Sequence, residues 1–80
     1  SIPIKKEGIM MPLTMVREGE ENIICKVGGR GETKRFLENL GFTVGGMVTV
    51  VSVIGGNVIV NVKDSRVAIG KDMANKIMVN

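Results

Sequence analysis

The stretch Thr33–Gly46, TKRFLENLGFTVGG, decides how the rest of the chain is built. Thr33, Phe36, Leu37 and Leu40 recur at i, i+3, i+4 and i+7, one apolar stripe of an amphipathic helix. Gly41 follows the last apolar residue, where helices commonly end in a left-handed residue that glycine adopts without steric cost. Phe42 stands where an apolar side chain folds back on Leu37 and seals the helix end. Gly45 and Gly46 add a turn, and a run of β-formers begins at Met47. One short helix therefore delivers the chain into a strand.

Working outward, Met47–Ile54 and Asn57–Lys63 flank Gly55-Gly56, a strong hairpin signal. Val48, Val50, Val58, Val60 and Val62 form the predicted inward set, with Asn57 and Asn61 facing water. Asp64-Ser65 turns the chain into a short strand from Arg66 to Ile69, with Val67 and Ile69 on one face. One helical turn is expected around Met73, Ala74 and Asn75, then a last strand carrying Ile77 and Val79. Upstream, Glu21–Val27 reads as a strand with Ile23, Cys25 and Val27 alternating against Asn22, Ile24 and Lys26. Ile24 breaks that alternation, so a bulge or a strand covered on both faces stays open. Pro12–Glu20 fits a short edge strand or a single helical turn. Residues 1–10 read as an N-terminal arm or extension, with Met10 and Met11 both natural starts, and 11–80 as the domain. Short strands and tight turns around one helix predict a mainly β fold, a small closed barrel with one inserted short α-helix.

Composition narrows the function. With 80 residues, two Phe and no Trp or Tyr, the core must come from Val, Ile, Leu and Met. Cys25 is the only cysteine, so no disulfide forms within the chain, and it reads as a small buried hydrophobe. Histidine is absent and the carboxylates are scattered, which leaves no catalytic triad, no zinc set and no calcium loop. The expectation is a non-enzyme with no cofactor, no metal ligands and no small-molecule substrate. Gly28-Gly29-Arg30-Gly31 matches neither phosphate-binding spacing and reads as a plain turn. No signal peptide and no membrane-spanning run is seen, so the cytoplasm is the default compartment.

The net charge of +3 is a mild excess that fits an acidic partner. Nucleic acid is disfavoured, because Phe36 and Phe42 are both committed to the helix and its stop and leave no stacking face. Arg30, Lys34 and Arg35 cluster at the helix start, where positive charge opposes the helix dipole. They are the candidate partner-binding residues, with Arg66 on a separate strand as an extension; a solvated face balanced by Glu32 and Glu38 is the bland alternative.

From Pro12 to Asn80 the chain resembles the FeoA family, small cytoplasmic proteins of bacterial ferrous-iron uptake. The resemblance is carried by Pro12-Leu13, Gly19, Gly28-Gly29, Arg35, Leu37, Leu40-Gly41-Phe42, Gly45, Val48 and Val50. It continues in Arg66, Ala68, Ile69-Gly70, Ala74, Ile77 and Val79, all in family order. Val44 departs from it, standing where the family often has Pro. The resemblance implies an SH3-like barrel and a non-enzymatic accessory of FeoB, the membrane ferrous-iron transporter with a cytosolic GTPase domain. It also carries the family's label of transition-metal-ion binding, although the lack of His fits a protein that assists iron transport without carrying iron. The alternative is a stand-alone relative of the SH3-like domain of DtxR-type metal-dependent repressors. The expected partners are the FeoB-like transporter and, weakly, a second copy of the chain.

Overall fold

The computed structural model describes residues 9–80; most of the arm read at residues 1–10 lies outside them. The elements run β1 (Met11–Pro12), a 3-10 turn (Leu13–Met15), β2 (Glu21–Val27), α1 (Glu32–Leu40), β3 (Met47–Ile54) and β4 (Asn57–Val62). They continue with β5 (Ser65–Gly70), α2 (Lys71–Ala74) and β6 (Ile77–Val79). Pro12–Glu20 thus holds both a short edge strand and a helical turn.

The helix stop forms as its residues require. Gly41 is left-handed at φ 114°, ψ 2°. Its N–H donates to the Glu38 carbonyl at 3.0 Å, and the Phe42 N–H donates to the Leu37 carbonyl at 3.0 Å. That pair of bonds is a Schellman motif. Leu37 and Phe42, the residues it brings together, are both fully buried in one core cluster. A Cβ at Gly41 would meet Lys63 and Val62 side-chain carbons only at ordinary contact distance, so a substitution there is penalised by the backbone. Gly41→Val is expected to lose about 1–3 kcal/mol, because a β-branched residue is strained at positive φ. Urea denaturation checks it, and an unchanged midpoint would remove the stop as the organising element.

The apolar stripe of α1 is narrower than its spacing predicts. Leu37 is buried and Thr33 and Leu40 are half-buried, but Phe36 stays half exposed. At about 100° per residue, Phe36 lies well round the helix from Leu37, too far to share the same contact line. The expectation that the helix and its stop take up both phenylalanines therefore holds only for Phe42, and Phe36 leaves an exposed ring.

The β3–β4 hairpin has the predicted bounds on its first strand, and Gly55 at its tip has φ 59°, as at the first central position of a type II′ turn. Val48, Val50, Val58, Val60 and Val62 are all buried, while Asn57 and Asn61 are exposed. β2 corrects the sequence reading. Asn22 and Ile24 point inward, Ile23 is exposed and Cys25 is half-buried. The register shifts between Ile24 and Lys26 in the pairing with β6, so Cys25 is the extra residue of a β-bulge. After it, Val27 faces the core. Asn22 tolerates burial because its Nδ2 donates to the Glu20 carbonyl at 3.0 Å.

The sheet order is β1-β6-β2-β3-β4-β5, an open six-stranded sheet, so the expected closed barrel is not formed. β2 pairs with β3 through Glu21–Ile23 and with β6 beyond Ile23, changing neighbours as it approaches its bulge. Closure would require β1 to pair with β5. β1 is only two residues long and passes directly into the 3-10 turn. At the other edge the chain leaves β5 for α2, which packs on β4, β5 and the 3-10 turn. Helical turns occupy the gap that paired strands would have closed.

Candidate functional site

Arg30, Lys34 and Arg35 are all exposed, Arg30 in the turn before α1 and the others on its first turns. The start of the helix sits against the α2–β6 connection. The Gly28 N–H donates to the Lys76 carbonyl at 2.6 Å, and a Cβ on Gly29 would lie 3.5 Å from the Lys76 Cδ. Val27 pairs with Ile77, both buried, and Lys26 pairs with Met78. Lys26 and Lys76 therefore emerge on the outer face beside Arg30, and both are exposed. Neither was marked by the sequence, since no local pattern links them and only the pairing of β2 with β6 does.

Arg66 lies elsewhere. It is exposed on the edge strand β5, opposite Asn61 of β4, and its Nε donates to the Asn61 Oδ1 at 3.0 Å. Its strand neighbourhood is the β4–β5 turn with Lys63, beside the end of α1 rather than its start. The four candidate residues thus divide into a trio and an outlier.

A second surface is apolar. A cleft of about 190 Å³ is lined by Leu13, Val16, Val50, Val53 and Val58, with Glu18 and Lys71 also in its walls. Met15, between two of the lining residues, is 70% exposed, and Ile54 beside Val53 is 66% exposed. Among the described residues no three His, Cys, Asp or Glu side chains converge as a metal group. No helix of the described residues is long and apolar enough to cross a membrane.

The sequence profile of the FeoA domain matches residues 11–80. The chain belongs to the FeoA family. A relative in Methanocaldococcus jannaschii, provisionally named Fe(2+) transport protein A, is 41% identical over 71 residues, spanning 88% of this chain and 85% of the relative. The crystal structure of an iron uptake regulatory protein, FeoA, superposes with a TM-score of 0.81 at 29% identity, covering 90% of this chain and 96% of that one. A manganese-dependent transcriptional repressor shares the fold alone: TM-score 0.79 at 18% identity, with 88% of this chain matched to 40% of the repressor. FeoA membership makes the chain a non-catalytic accessory domain of ferrous-iron uptake.

Proposed function

We propose that this FeoA protein works in the cytoplasm by docking on a cytosolic region of a FeoB-like ferrous-iron transporter and modulating it. The observation that carries the reading is the family match across residues 11–80. The relative's Fe(2+) transport name points the same way. The alternative of a repressor-type regulatory domain rests on fold likeness alone.

Docking is assigned to Arg30, Lys34 and Arg35, with Arg66 as an outlying contact. Exposed cations steer association toward an acidic surface, and that attraction is screened beyond about 8–10 Å at physiological salt. Capture of detergent-solubilised transporter should therefore weaken as salt rises. Reversing Lys34→Glu and Arg35→Glu together should weaken capture about tenfold or more and leave stability within about 0.5 kcal/mol, since both side chains are exposed. A double variant that folds normally and captures the transporter as well as wild type would eliminate the basic face. It would move the contact to Met15, Val16 and the apolar cleft.

A further inference from the structure

The pairing of β2 with β6 concentrates the charge of the molecule. Lys26, Arg30, Lys34, Arg35 and Lys76 gather around the first turns of the helix, with Glu32 and Glu38 as the carboxylates among them. The other described residues hold four cations and five carboxylates, so the positive charge of the described residues is gathered around the helix start. Among the described residues none of the five cations forms an ion pair or a side-chain hydrogen bond. Glu18, Glu20 and Glu21 stand at the opposite end of β2, roughly 20 Å away at about 3.3 Å per residue. That is beyond two screening lengths at physiological salt, so the acidic end does not cancel the basic one.

We propose that this basic face rests on an anionic phospholipid surface. Phe36 is half exposed beside these cations on α1, while the exposed apolar residues Met15, Val53 and Ile54 lie at the cleft. Long cationic side chains held by no partner suit a diffuse negative plane, where each contributes separately. The inference rests on the docking reading for the place where the protein meets a membrane, and it extends the site by Lys26 and Lys76.

The test uses the full chain and protein-free vesicles, of phosphatidylcholine alone or with phosphatidylglycerol added, sedimented at low and high salt. Binding is expected only to the anionic vesicles and should be lost at high salt. Lys26→Glu with Lys76→Glu should lower partitioning about tenfold or more with an unchanged melting midpoint. Lys26→Ala with Lys76→Ala serves if the reversal disturbs folding. Equal binding to both compositions, binding to neither, or wild-type binding by a folded variant overturns the proposal. If solubilised transporter is captured while anionic vesicles are ignored, the face belongs to a protein contact. Vesicle binding without capture of the transporter sinks the docking reading alone.

Discussion

Phe42→Ala is expected to cost about 3–5 kcal/mol, the range for emptying a buried aromatic site. Phe42 is among the largest fully buried side chains, and it follows directly on the left-handed Gly41. Its backbone N–H is fixed to the Leu37 carbonyl, so the surrounding chain cannot easily collapse into the space left behind. A domain of this length has only about 4–12 kcal/mol of stability in total. The variant should thus be largely unfolded on mild heating, or show a much lower urea midpoint with an unchanged slope. A loss under about 1 kcal/mol would mean that the ring is not a core element.

Leu37→Ala should cost about 2–5 kcal/mol, while Phe36→Ala one position earlier should stay within about 0.5 kcal/mol. Leu37 is completely buried and Phe36 is 50% exposed, although the larger ring would be the natural choice from composition. The comparison isolates which side of α1 meets the sheet. Equal losses from the two substitutions, read from parallel denaturation curves, would refute the helix orientation described here.

The helix, its stop and the β3–β4 hairpin were legible because each depends on neighbours in sequence. Gly41 needs positive φ, Gly55 makes the turn, and the alternating valines have a period of two. In β2 the break at Ile24 left a bulge open and the bulge is there, at Cys25, but the inward set was misassigned: Asn22 and Ile24 face the core before it and Val27 after it. Closure was misjudged because it depends on whether two distant edges meet. The short β1 and the α2 turn keep them apart; a short edge strand and a helical turn were legible locally, but that they would keep the edges from pairing was not. The candidate site was half legible for the same reason. Arg30, Lys34 and Arg35 are sequence neighbours, but Lys26 and Lys76 join them only through strand pairing, and Arg66 is taken away by it.

The position of β6 bears on how the chain folds during synthesis. β2 to β5 pair successively with near neighbours, so these hairpins can form as the polypeptide emerges at about 5–20 residues per second. β6 instead inserts between β1 and β2, and Val79 is the register partner of both Met11 and Ile24. Until that strand leaves the ribosome, β1 has no ladder to join and Ile24 and Val27 lack the neighbour that covers them. The nascent chain carries an unfilled strand slot until residues 13–76 have been made, and long-range pairing of this kind is slow in β-rich domains.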